Sequence, residues 1–147
     1  MTMEQSENRS ELPNNTEQTL EEITYNILPP DKVTQYVINV CEKEWTENDF
    51  PLYGEDLYKS TWQLEEVSLS DINIDKSLLE NEDFQKRLKP RVAKQYELLN
   101  EKKPIPPFIL RGRDYLIWDG YARYHFLKEL GVKKCLAYVG RREELGV

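Results

Sequence analysis

The chain has 147 residues, 39% of them hydrophobic and 32% charged, which leaves room for one modest domain with extensions. A net charge of −7 gives no excess of Lys and Arg to release condensed counterions, so non-specific binding to nucleic acid is disfavoured. No run of about eighteen apolar residues occurs, and no basic segment followed by an apolar one opens the chain, which argues against a membrane span and a secretion leader.

Residues 1–20 carry almost no apolar side chains and are expected to form a disordered tail. Residues 21–61 are read as a helical, aromatic-rich N-terminal extension. Ile23, Ile27 and Leu28 make a short amphipathic pattern stopped by Pro29 and Pro30. Val33, Tyr36, Val37, Val40 and Cys41 recur at helical intervals and predict a helix over roughly 32–44, with Asp31 as its N-cap. Between Trp45 and Trp62 the chain reads as a loop dense in aromatics: Phe50, Tyr53 and Tyr58. Such a cluster either packs the extension onto the domain or docks a protein partner.

The domain proper is expected over residues 62–142, with 143–147 as a short C-terminal tail. Leu64, Val67 and Leu69 alternate as a strand that ends near Ser70. Phe84, Leu88, Val92, Tyr96 and Leu99 share one helical face, which Pro90 is expected to divide into a short helix and a longer one. Pro104 to Pro107 impose an extended chain, Phe108 to Leu110 continue as a strand, and a turn at residues 111–114 returns the chain along Tyr115 to Trp118. A helix from near Tyr121 to Leu130 follows, closed by Gly131, with Ala122, Phe126 and Leu130 on its buried face. A last strand over residues 134–139 completes a small mixed sheet, so the fold class is α/β in the α+β sense.

Cys41 and Cys135 are far apart among apolar neighbours and read as buried thiols of a cytoplasmic protein. The single histidine, His125, has no Cys or His partner at ligand spacing, so no metal site is expected from those residues. Chemistry points instead to the turn Asp119, Gly120, Tyr121, Ala122, Arg123. A strand that opens a helix there leaves unpaired backbone N–H groups facing one spot, and the helix dipole favours an anion at it. Gly120 permits the tight turn. Arg123 can offer a guanidinium to a phosphate, although a cation in the first turn opposes the dipole. Alternatively, Asp119 caps the helix and Arg123 pairs with a surface carboxylate. Asp119 can also hold Mg²⁺ together with a nucleotide, and Tyr121 can stack on a base or close the pocket with its ring.

Residues 62–142 resemble the ParB/sulfiredoxin-like superfamily, in particular the N-terminal domain of the partition protein ParB and its stand-alone relatives. The resemblance lies in residues 66–72 (EVSLSDI), in residues 91–96 (RVAKQY) before 106–110 (PPFIL), and in residues 118–123 (WDGYAR) before a helix ending in Leu130 and Gly131. The last segment is similar to the family's Asp-Gly-x-His-Arg or Gly-Glu-Arg-Arg phosphate-binding signature. The resemblance implies a single-domain nucleotide- or phosphate-binding protein, with Gly120, Arg123 and Asp119 carried over to that role. A nucleoside triphosphate with Mg²⁺ is the implied cofactor set, and phosphotransferase or nucleotidase activity the implied chemistry.

Departures from the pattern narrow this. Tyr121 stands where sulfiredoxins have a reactive cysteine, so sulfinic acid reduction is not expected. Ala122 replaces the His or Arg before the family arginine and removes one phosphate contact. The helix-turn-helix and dimerisation regions of ParB have no counterpart here, so partitioning by the ParB route is not expected. A competing reading is a non-enzymatic interaction module with a degenerate pocket, working through its aromatic extension. Nuclease activity or DNA binding is a third, with no recognisable cluster of carboxylates and a lysine to support it.

Overall fold

The computed structural model describes residues 15–143. Its first element is a hairpin of β1 (Thr16–Leu20) and β2 (Ile23–Ile27), paired antiparallel. The expected disorder of residues 1–20 is therefore corrected for residues 16–20, while residues 1–14 lie outside the described residues. The helical reading of residues 21–28 is corrected as well. Ile23 and Ile27 are four apart, a spacing that suits a helix and a strand equally, but buried Tyr25 between them sets the period at two. Backbone bonds from Asn26 N to Ile105 O (2.9 Å) and from Ile105 N to Thr24 O (3.0 Å) tie β2 to the extended segment before the next sheet.

Two helices follow. The first, α1 (Pro30–Glu44), places Pro30 in its first turn and takes Pro29 rather than Asp31 as N-cap. The second, α2 (Phe50–Lys59), occupies what the sequence presented as an aromatic loop. Its Asp56 is 7% exposed and meets the guanidinium groups of Arg113 and Arg142, each at 3.2 Å, which fastens α2 to the far end of the sheet.

The main sheet comprises β3 (Thr61–Ser68), β4 (Phe108–Arg111), β5 (Ile117–Asp119) and β6 (Lys134–Arg141) in the order β3-β6-β4-β5. Only the central β4–β6 pair is parallel. Phe108, Leu110, Ala137 and Val139 point into one core, shared with Ile23, Tyr25, Ile27 and Phe126. Ile109 and Tyr138 point into a second core, filled by Val33, Val37 and Cys41 of α1, Leu57 of α2, and Trp62. Both faces are thus covered, which explains why β4 and β6 read as unbroken apolar runs. Helices α1 and α2 form the second layer.

Between β3 and β4 lie a 3₁₀ turn (Leu69–Asp71), the short α3 (Lys76–Leu79) and the long α4 (Glu82–Asn100). Asn81 caps α4 through Phe84 N, and Pro90 sits inside it without dividing it. Pro90 and Lys86, whose carbonyl loses its partner, are both on the exposed side, where the carbonyl is open to solvent. Helix α5 (Tyr121–Leu130) ends at Gly131 with φ +78°, as expected. Its buried face is Arg123, Phe126 and Leu127; Leu130, expected inside, is 41% exposed. Among the described residues no helix is long and apolar enough to cross a membrane. Cys41 and Cys135 are free and buried, and burial pushes both thiols up to about 12.

Candidate functional site

The junction of β5 and α5 opens onto a cleft of about 630 Å³, a volume in the range of small-molecule sites. Asp119, Gly120, Tyr121, Ala122 and Arg123 all line it. Gly120 is the N-cap of α5, at φ +126°, a backbone region that side-chain-bearing residues rarely adopt. A Cβ there would stand 2.7 Å from the Phe108 ring. The Gly120 carbonyl accepts the first helical bond from Tyr124 N at 2.8 Å. No side chain caps the helix, so the N–H groups of its first turn stay open to an outside acceptor.

Asp119 does not cap the helix. Its Oδ2 instead accepts from Arg123 Nη2 at 2.7 Å, one helical turn away. This pairing also answers the unfavourable placement of a cation at a helix start, because the carboxylate beside it offsets the dipole. Arg123 is 8% exposed, lies 5.7 Å from the Phe108 ring centroid, and has its Nε buried without a hydrogen-bond partner. The alternative reading thus differs in the cap and in the partner: Arg123 pairs with a carboxylate, but with Asp119 itself, whose side chain is 32% exposed.

Tyr121 is already engaged. Its hydroxyl accepts from Asp75 N at 3.0 Å, and its ring meets Phe84 edge to face at 5.3 Å. Burial raises the phenol above its ordinary range, so it stays protonated. It closes one side of the cleft as a wall. Ala122 lines the cleft with a methyl group only. His125 is not part of the lining; burial and nearby Lys128 lower its pKa, and it reads as a half-buried neutral side chain on the far side of α5.

Two walls went unread in the sequence. The first is α4, whose Arg87, Arg91 and Lys94 are spaced four and three apart and so lie on one face, toward the cleft. Lys94 pairs weakly with Glu97 at 3.6 Å, Arg87 lies 6.0 Å from the Phe84 ring centroid, and Arg91 has no ionic partner among the described residues. Their spacing was legible, but a charged helix face ordinarily meets only water. The second wall is aromatic: Trp45 at the end of α1, Tyr53 of α2 and Trp118 of β5, with Trp45 and Trp118 at 4.8 Å. Glu44, Asp49 and Asp75 add carboxylates to the lining, but Asp49 is bound to Thr46 N and Asp75 caps α3. Among the described residues no group of three or more His, Cys, Asp or Glu could hold a metal ion.

No known family's sequence pattern matches the chain, and no curated protein matches it. Solved structures do, among them two of a pNOB8-like ParB N-domain. One crystal form of a pNOB8-like ParB N-domain is 27% identical, over 55% of this chain and 30% of that one, with a TM-score of 0.41. A second structure of the pNOB8-like ParB N-domain is 30% identical, over 55% of this chain and 28% of that one, with a TM-score of 0.38. The chain thus spans less than a third of the length of either, and over a little more than half of its own length it is similar to the pNOB8-like ParB N-domain.

Proposed function

We propose that the cleft at the start of α5 binds a phosphate-bearing small molecule, in the first instance a nucleotide. The observation that carries this is the facing of uncapped N–H groups at Gly120–Arg123 and a row of cationic side chains on α4 across one cleft. The N–H groups fix an anion by direction, while Arg87, Arg91 and Lys94 supply charge the dipole alone lacks. Mg²⁺ enters this reading chiefly through the ligand's own phosphates, with Asp119 as the carboxylate of the turn itself. The reading is one of binding. Phosphotransferase or nucleotidase chemistry needs a base or nucleophile at the phosphate, yet Asp119 is held by Arg123, the Tyr121 hydroxyl by Asp75 N, and His125 lies outside the cleft.

A thermal-shift screen against nucleotides, with and without Mg²⁺, tests the proposal, since a ligand of the folded state raises the melting temperature by mass action. A rise with at least one nucleotide is expected. A flat response to all of them favours the interaction-module reading, which has its own observation: α2 exposes Leu52 (69%) and Tyr58 (51%) on its outer side.

A further inference from the structure

A second recess, of about 480 Å³, opens where the turn between α5 and β6 meets the end of β3. Ser68 and Ser70 line it, together with Tyr124 and Lys128 of α5 and with Lys133 and Lys134. Leu69, 7% exposed, and half-buried Val132 are its apolar part. Leu69 N donates to Lys133 O at 2.8 Å, so backbone fixes the serine side to the lysine side and the recess is formed before any ligand arrives.

The polar groups of this lining have little to do within the protein. Lys134 is paired with Glu66 at 3.3 Å. The hydroxyls of Ser68, Ser70 and Tyr124 and the ammonium groups of Lys128 and Lys133 have no hydrogen-bond or ion-pair partner among the described residues, Lys128 lying 5.9 Å from the Tyr124 ring centroid. No carboxylate lines the recess. Glu21, which reaches this turn, accepts from the backbone N–H groups of Lys133 and Lys134 and not from their side chains. A lysine in the last turn of a helix answers the dipole, which accounts for Lys128 but for neither Lys133 nor the three hydroxyls.

Unspent donors, two of them cationic, in a lining free of carboxylates favour an oxyanion. A carboxylate brings two oxygens and one charge, whereas a phosphate monoester brings three terminal oxygens and nearly two charges at neutral pH. The second matches this set better. We propose that the recess is a binding site for a phosphate dianion, free or carried by a small molecule, separate from the cleft at the start of α5. The two linings share no residue, so the site stands or falls independently of the nucleotide reading.

The test titrates the full chain with inorganic phosphate and with glycerol 3-phosphate, following backbone amide resonances by two-dimensional NMR, with acetate and chloride at the same ionic strength as controls. Saturable shifts of Ser70, Val132 and Lys133 are expected with phosphate and not with acetate or chloride. Tighter binding of glycerol 3-phosphate would assign an organic phosphate to the site, and equal binding the free ion; either supports it. Lys128→Gln and Lys133→Gln, both exposed, should each weaken binding about two- to fivefold, and together about tenfold. Arg91→Ala, in the other lining, should leave it unchanged. Shifts at Gly120 and Arg123 report on the cleft separately. The absence of saturable shifts at Ser70, Val132 and Lys133, equal shifts with acetate, or undiminished binding by the folded double variant overturns the site.

Discussion

Arg123 is asked to do two things at once. Its guanidinium neutralises Asp119 at 2.7 Å, a carboxylate whose side chain is 32% exposed at the cleft, and the cleft-lining arginine also has its buried Nε without a hydrogen-bond partner. Removing it therefore has two consequences that can be separated. Arg123→Ala should weaken a phosphate ligand by roughly ten- to a hundredfold, since a hydrogen bond to a charged group contributes about 1.5–3 kcal/mol. It should also lower the melting temperature, because Asp119 keeps its charge and loses its cation. Arg91→Ala, on the exposed face of α4 and without an ionic partner, should weaken the ligand and leave the melting temperature unchanged. If calorimetry shows folded Arg123→Ala binding as tightly as the parent, the anion site lies elsewhere. Gly120 makes a different prediction, about backbone rather than charge. At φ +126°, with the Phe108 ring 2.7 Å from a would-be Cβ, Gly120→Ala should cost on the order of 2 kcal/mol or more and several degrees of melting temperature. The space such a side chain would fill is taken by Phe108, a core residue, with Arg123 Nη2 at 3.2 Å. An unchanged melting curve would show that the turn relaxes and that its geometry is not a constraint on the site.

At the scale of elements, the β1–β2 hairpin shows what a local reading can and cannot see. Its turn residues Glu21 and Glu22 hold φ of +50° and +71°, a conformation that Asn or Gly would adopt with less strain. Glu21 is kept there by its carboxylate, which accepts from Lys133 N at 3.0 Å and Lys134 N at 2.8 Å, 112 and 113 residues away. Glu21→Ala should therefore lower stability by about 1 kcal/mol, at the low end for charge-assisted bonds because these are exposed, and melting should fall by a few degrees. Glu21→Gln, which keeps an acceptor, should recover part of the loss. No loss in either would detach the hairpin from β6 energetically. Nothing near Glu21 in the chain announces that contact. The β4–β5 hairpin and α5 were legible because their signals are local: the prolines before Phe108, the turn at Gly112, Gly131 after Leu130. Strand β1, by contrast, has Leu20 as its single apolar residue and exists through its pairing with β2. The same distinction divides the candidate site. Residues 119–123 could be found from the strand-to-helix junction alone. The walls contributed by Arg87, Arg91 and Lys94, and by Trp45 and Tyr53, become walls only when α4 and the N-terminal layer close over that junction.

For the molecule as a whole, the question is where its positive charge is free to act. The C-terminal part of the sequence holds Arg123, Lys128, Lys133, Lys134, Arg141 and Arg142, a local excess of cations that could attract nucleic acid despite the net charge of −7. In the fold most of that excess is spent internally. Arg123 is paired with Asp119, Lys134 with Glu66 at 3.3 Å, Arg141 with Glu65 at 2.9 Å, and Arg142 with Asp56 at 3.2 Å. Counterion release needs cations that can reach phosphates, and a side chain already paired with a carboxylate releases little. What remains available is exposed Lys128 and Lys133 of that group and, on α4, Arg87 and Arg91, which face the cleft and are backed by exposed Lys86 and Lys89. Duplex DNA titrated at physiological salt should accordingly bind no tighter than the roughly 10⁻⁴ to 10⁻⁶ M typical of non-specific contact, with no preference for sequence. The double variant Arg87→Glu, Arg91→Glu should weaken even that residue of affinity, whereas Lys134→Glu should leave it unchanged. The same double variant should weaken nucleotide binding, because both ligands would compete for one row of guanidinium groups. Retention of a particular DNA sequence in the nanomolar range, or survival of binding in the double variant, would place a nucleic-acid surface elsewhere on the molecule and remove α4 from the argument for an anion cleft.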